Sequence, residues 1–248
     1  MTVSCCADNT IMHPFQPLYN PITLVKSSPM SIKALIFDFD GLVLDTETPE
    51  YEALNRVYTE YGQNLPVEMY GLVVGSEYNH EFEPMAHLQG LTGKALDAVS
   101  FWERVNRHRM ELIDKGPLLP GVEAYLREGK ALGLKLAVAS SSPHAWVDGH
   151  LKRLGLFYYF DVIICKEDVV NIKPHPDLFL AALSALQLKA EEGVIFEDSA
   201  NGVLAARRAG IRVVVVPNPI TLHMKFEGET LRLQSLAELP LGDLLSKL

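Results

Sequence analysis

Four short stretches of this chain carry side chains able to do chemistry. They are Asp38 and Asp40, two residues apart; the hydroxyl run Ser140-Ser141-Ser142; Lys173, between Ile172 and Pro174; and the acid pair Glu197-Asp198. Each follows an apolar run of strand length. Ala34–Phe37 ends in Asp38, Lys135–Ala139 in Ser140, Val194–Phe196 in Glu197, and Val162–Cys165 precedes the Lys173 loop. Runs that stay apolar without alternating are expected of strands covered on both faces, as in a parallel sheet. The carboxyl ends of parallel strands share one edge, and open α/β sheets take their ligands there. Gly41, directly after the first acid pair, permits a turn that a side chain would obstruct.

What such an edge could bind follows from charge. Two carboxylates about 4 Å apart repel by roughly 4 kcal/mol at an effective dielectric of about 20. Asp38 and Asp198 on one edge therefore need a shared proton or a cation. Ligands that are all oxygen favour Mg²⁺, which keeps several waters and commonly bridges carboxylates to a phosphate. Lys173 and the hydroxyls of Ser140 and Ser141 suit the remaining phosphate oxygens. In that setting Asp38 attacks phosphorus, giving an aspartyl-phosphate, and Asp40 protonates the leaving oxygen.

Each stretch alone has a plainer reading. Asp and Gly at a strand end are common turn residues, and the serines, like Asp198-Ser199, could simply cap helices. Lys173 could be a solvated surface residue. A calcium loop is excluded, because position 42 is Leu and no helix precedes Asp38. The functional reading rests on the conjunction of all four stretches, each at its own strand end.

The elements that must position these groups alternate along the chain. Arg212–Val216 forms a fifth strand, and helical patterns at Gly121–Ala131, Ala145–Leu154, Asp177–Leu186 and Ala200–Arg208 separate the later strands. This order predicts an α/β fold: a Rossmann-like parallel sheet core flanked by helices. Between Asp45 and about Gly116 the rhythm breaks, and the patterns are helical only (Tyr51–Tyr61, Asn79–Leu88, Lys94–Ile113), which predicts an inserted small all-helical cap domain. Residues 31–47 and 116–248 are expected to form the core and 48–115 the cap, with crossings near Glu47-Thr48-Pro49 and Asp114-Lys115-Gly116. Residues 1–30 contain four prolines, show no sustained period, and match neither a secretory nor a transit-peptide pattern. They read as a disordered tail, after which Met30 would be a natural start.

Composition sets outer bounds. Lys and Arg total 22 against 31 Asp and Glu, a formal net charge of −9, which argues against broad nucleic-acid binding and against an anionic membrane surface. Any anionic substrate must be gripped by local cations or a metal. Three cysteines with no disulfide or zinc spacing fit a reducing cytosol, so a cytoplasmic protein is expected. No apolar run approaches a membrane span.

The four stretches, taken in order, resemble the motifs of the haloacid dehalogenase-like hydrolases. Phe37 to Thr46 looks like the first motif, Val138-Ala139-Ser140 the second, Lys173-Pro174 the third, and Phe196-Glu197-Asp198-Ser199 with Gly202 the fourth. Asp45-Thr46 and the helical insertion are similar to the β-phosphoglucomutase-like branch. The resemblance implies Asp38 as nucleophile, Asp40 as acid/base, and Mg²⁺ held by Asp38, Asp198 and the backbone carbonyl of Asp40. It also implies phosphate held by Ser140 and Lys173, with Glu197 just outside these ligands. Asp40 argues against dehalogenase activity. A mutase of this branch has a cap Arg beyond a loop Gly and Lys-Asn after the second motif. Here the matching stretches read Gly75-Ser76-Glu77-Tyr78-Asn79-His80 and Pro143-His144. A phosphatase, working as a monomer on a small phosphorylated sugar or polyol, is therefore expected ahead of a mutase or a non-catalytic phosphate-binding protein. Glu47, Ser76, Tyr78 and His80 are the candidate cap contacts to substrate. Arg104, Arg107 and His108 could supply further cations or form a solvated helix face.

Overall fold

The computed structural model describes residues 1–2, 32–72, 74–75, 82–113, 116 and 118–248. Residues 3–30 of the expected tail, and the cap candidates Ser76, Tyr78 and His80, lie outside the described residues.

The central strand, β1 (Ala34–Phe37), is the one that ends in Asp38, and all four of its residues are fully buried. It pairs in parallel with β2 (Lys135–Ala139) on one side and β4 (Gly193–Glu197) on the other. The sheet continues to β3 (Val162–Ile164) beyond β2, and to β5 (Arg212–Val215) and β6 (Leu231–Arg232) beyond β4. Every pairing is parallel and the order is β3-β2-β1-β4-β5-β6. Phe37 stands opposite Val138 and Phe196. The next residues, Asp38, Ala139 and Glu197, therefore emerge level with one another where the strand order reverses, which is where a doubly wound sheet opens a crevice.

Alternate residues serve opposite faces, as the strand period of two requires. Leu35, Phe37, Val138 and Phe196 pack under α5 (Val122–Ala131), α6 (His144–Arg153) and α9 (Leu241–Leu245). Ile36, Ala137, Ala139 and Ile195 pack under α7 (Asp177–Leu186) and α8 (Ala200–Ala209). The Phe37 and Phe196 rings stack at 4.9 Å, with Tyr125 edge-on to Phe196 at 5.5 Å. Burying a ring of this size contributes about 2–3 kcal/mol.

The insertion between β1 and β2 is helical: α1 (Glu47–Glu60), α2 (Val67–Gly71), α3 (Pro84–Thr92) and α4 (Ala98–Ile113). These helices enclose their own apolar cluster of Leu54, Val57, Tyr58, Tyr70, Leu88, Phe101 and Val105, which Ile220 joins from the loop after β5. Helix α1 starts at Glu47, four residues before the apolar pattern predicts and across the residues expected to form the crossing. Pro49 is compatible with this because the first turn has no intrahelical acceptor for its missing N–H. Helix α3, by contrast, begins later than expected, at Pro84, where the Glu83 carboxylate takes the N–H groups of Met85 and Ala86. On α4, Arg104 is half-buried and pairs with Glu60, whereas Arg107 is exposed.

One close contact ties β4 to α8. The fully buried Glu197 carboxylate accepts the N–H groups of Asp198 and Ser199, both at 2.9 Å, and the Ser199 hydroxyl at 3.0 Å. Ser199 Oγ in turn accepts the N–H of Gly202 at 3.0 Å, which caps the helix. A Cβ at Gly202 would overlap the Glu197 carboxylate. Helix propensity alone favours Gly202→Ala by about 0.5–1 kcal/mol, whereas overpacking against a buried carboxylate reverses the sign. The variant is expected to lose about 2 kcal/mol or more in urea denaturation, and unchanged or higher stability would refute the contact.

Candidate active site

Lys173 is the pivot of the site. Its ammonium is 2.6 Å from Asp38 Oδ1 and 2.6 Å from Glu197 Oε1, and the residue is only 2% exposed. Burial alone would lower its pKa, but Asp38 and Glu197 outweigh that and hold it above its ordinary value, so the side chain stays charged. It also lies 5.1 Å from the centre of the Phe179 ring on α7. Glu197 has both oxygens committed, one to Lys173 and the other to the start of α8. That saturation makes it a support for its neighbours rather than a free ligand.

Asp38, Glu197 and Asp198 are all buried and offer oxygens within 4.8 Å of one another. Burial is the largest influence on Asp38 and raises its carboxyl well above the usual range. Glu197 pushes the same way, against Lys173. Asp198 is raised too, by burial first and then by Glu197 and Asp38. Asp198 Oδ2 accepts from Asn218 Nδ2 at 2.7 Å, whereas Oδ1 is buried with no hydrogen-bond partner among the described residues. An orphaned carboxylate oxygen beside a second buried acid suits a hard cation such as Mg²⁺.

Asp40 is held differently. Its Oδ1 accepts from Thr46 Oγ1 at 2.9 Å and from Trp146 Nε1 at 2.8 Å. Its Oδ2 accepts from Ser142 Oγ at 2.6 Å and from Ser140 Oγ at 3.2 Å. Thr46 sits at the N-cap of α1, yet its hydroxyl turns to Asp40 instead of capping the helix. Ser142 likewise serves the acid, while the Ser141 hydroxyl donates to the carbonyl of Gly75 in the cap at 3.3 Å. Gly41, at φ 73°, makes the turn after Asp40, and a Cβ there would overlap Asp198 and Asn218. Asn218 Nδ2 bridges the Gly41 carbonyl at 3.1 Å and Asp198, fastening the first loop to the fourth.

These groups line a cleft of about 610 Å³ between sheet edge and cap, a size typical of small-molecule sites. Asp38, Asp40, Ser140, Ser141, Ser142 and Lys173 form its core side. From the cap come Glu47, Glu50, Tyr70 and Arg109. Glu47 is buried and accepts from the Tyr70 hydroxyl at 2.7 Å; burial pushes its carboxyl up to about 8 despite that bond. Arg104, Arg107 and His108 do not line the cleft, and His108 lies against Arg56 instead. Sequence reasoning passed over Asn218, Trp146, Tyr70 and Arg109, and gave Ser142 no role of its own within the hydroxyl run. Only Ser142 had a local signal, in the hydroxyl run itself.

Comparison with known proteins gives a consistent picture. The model of the family described as haloacid dehalogenase-like hydrolase matches residues 35–216, more than half of the chain. YhcW of Bacillus subtilis, named as a candidate phosphatase, is 45% identical over 88% of this chain and 98% of its own. The phosphorylated carbohydrates phosphatase of Thermotoga maritima is 35% identical over 73% of this chain and 82% of its own. Among solved structures, an Asp-to-Asn variant of CbbY from Rhodobacter sphaeroides with xylulose-1,5-bisphosphate superposes with a TM-score of 0.67 at 29% identity. That match covers 84% of this chain and 96% of the other. A central strand ending in two acids, a buried Lys between carboxylates and a helical cap over the same edge are what the matching family model spans, and the chain belongs to the haloacid dehalogenase-like hydrolase family.

Proposed function

We propose that the protein is a Mg²⁺-dependent phosphatase that hydrolyses a small phosphorylated carbohydrate, a sugar or polyol phosphate, through an aspartyl-phosphate on Asp38. The observation that carries this reading is the cluster of Asp38, Lys173, Glu197 and Asp198, in which one ammonium is shared by Asp38 and Glu197 and Asp198 Oδ1 has no partner among the described residues. The name of the Thermotoga relative supports a carbohydrate phosphate as the substrate class.

Asp38 presents its carboxylate at the cleft floor and attacks phosphorus, and the bond to the leaving oxygen breaks. Lys173 and Ser140 bind the phosphoryl oxygens, and Asp40 delivers a proton to the departing alkoxide. Asp40 then takes a proton from the water that attacks the aspartyl-phosphate, which returns Asp38 and releases inorganic phosphate. Asp38, Asp198 and the Asp40 carbonyl would hold Mg²⁺, which supplies charge neutralisation for the incoming phosphate. The cap covers the cleft and excludes bulk water.

A mutase needs a second phosphate grip. At the position where the mutases carry Lys-Asn, His144 is drawn away to Asp168 at 2.7 Å and Asp148 at 3.5 Å, and it does not line the cleft. Incubation with a hexose 1-phosphate and a trace of bisphosphate separates the two readings, with free sugar and phosphate expected here and hexose 6-phosphate from a mutase.

Asp38→Asn is expected to lower phosphate release by at least about 10³-fold while keeping the far-ultraviolet circular dichroism of the parent. A folded variant with substantial turnover would remove Asp38 from the nucleophile role. Mg²⁺ is expected to raise the Tm of the wild-type protein, because it binds the folded state alone, and chelation is expected to abolish turnover. Asp198→Ala should lose the Tm shift, and an undiminished shift in that variant would falsify the metal assignment.

A further inference from the structure

The cap wall of the cleft carries an ion pair that the reaction itself does not use. Arg109, on α4, donates from Nη1 to Glu50 Oε2 on α1 at 3.0 Å and from Nη2 to Asn106 Oδ1 at 2.6 Å. Its guanidinium lies 5.2 Å from the ring centre of Trp146, the residue whose indole N–H holds Asp40. Arg109 Nε is buried with no acceptor among the described residues. Both members of the pair line the same cleft as Asp38.

Of the described residues lining the cleft, three are cations. Lys173 is shared by Asp38 and Glu197, and Arg109 is matched by Glu50. Lys166 is exposed, on the core side after β3. Among the described residues the cap side adds Glu47 and no further cation. An Arg already paired with a carboxylate keeps N–H donors in a fixed fork, and the carboxylate keeps acceptor lone pairs. Such a pair offers alternating donors and acceptors, which suit the hydroxyls of a neutral polyol. It offers no net positive charge to a second dianion, which would also have to sit beside Glu50.

We propose that the Glu50–Arg109 pair, seated on Trp146, selects the leaving group: it reads the hydroxyls of a neutral polyhydroxylated carrier and disfavours a second phosphate. This rests on the phosphatase reading for the reaction but concerns a different part of the cleft. The CbbY structure holds a bisphosphate, so the two proteins would differ at this wall.

Equilibrium binding separates the two claims. In an Asp38→Asn background with Mg²⁺, titration calorimetry is run with a hexose 6-phosphate and with the hexose 1,6-bisphosphate of the same skeleton. The monophosphate is expected to bind at least about tenfold more tightly, the scale of a like-charge penalty. Adding Glu50→Gln, which frees the Arg109 charge, is expected to shrink that ratio to about threefold or less, and Glu50→Asp, which keeps the charge, to preserve it. Tighter binding of the bisphosphate by the Asp38→Asn protein would overturn the proposal. So would an unchanged ratio in a Glu50→Gln variant with parental circular dichroism, or loss of the preference in Glu50→Asp. A monophosphate preference in a protein whose wild-type form releases no phosphate would support the pair and sink the phosphatase reading.

Discussion

Everything at this sheet edge depends on a lysine buried between two carboxylates. Removing an ammonium or a carboxylate from water costs several kcal/mol per ion even after the protein relaxes. Lys173 recovers that cost through two 2.6 Å charge-assisted bonds and the Phe179 ring, and Glu197 through three further donors at the start of α8. The compensation is incomplete by one group. Counting Lys173 against Asp38, Glu197 and Asp198 leaves excess negative charge in a place closed to solvent, and the upward displacement of both aspartates reflects this. A site built this way is held ready for a cation and an anion arriving together.

Two acids from one turn are separated by their surroundings. Asp38 is buried among ions, whereas Asp40, two residues on, takes four neutral donors from Thr46, Ser140, Ser142 and Trp146. Those donors come from three separate segments, so the orientation of Asp40 depends on the whole edge being assembled. Gly41 and Asn218 serve the same end by joining the first loop to the fourth. Divergent environments for neighbouring carboxylates are how one fold supplies both an attacking group and a proton carrier.

Most of the sheet was legible in the sequence because its strands are buried on both faces and therefore read as unbroken apolar runs; β1 and β2 start and stop where the pattern places them. Helix α7 also matches its expected bounds, since Pro176 and Asp177 mark its start and its apolar residues keep helical phase. Less visible were α2, β6 and α9, which span five, two and five residues and are too short to show a period. In the site, the acids and Lys173 were legible from their strand ends. Asn218 and Trp146 were not, because they reach Gly41 and Asp40 across 177 and 106 residues and nothing local marks them. Arg109 lay hidden among Arg104, Arg107 and His108 on one helix. Helical phase alone does not say which side of α4 meets the cleft.

The cap helices bury their side chains in a cluster separate from the two that flank the sheet, joined mainly at Ile220 and Met224. Substitutions on the inner wall of α1 or α4 therefore leave the packing around Lys173 largely untouched. A change of metabolite can therefore be carried by side chains of the cap helices without repacking either face of the sheet.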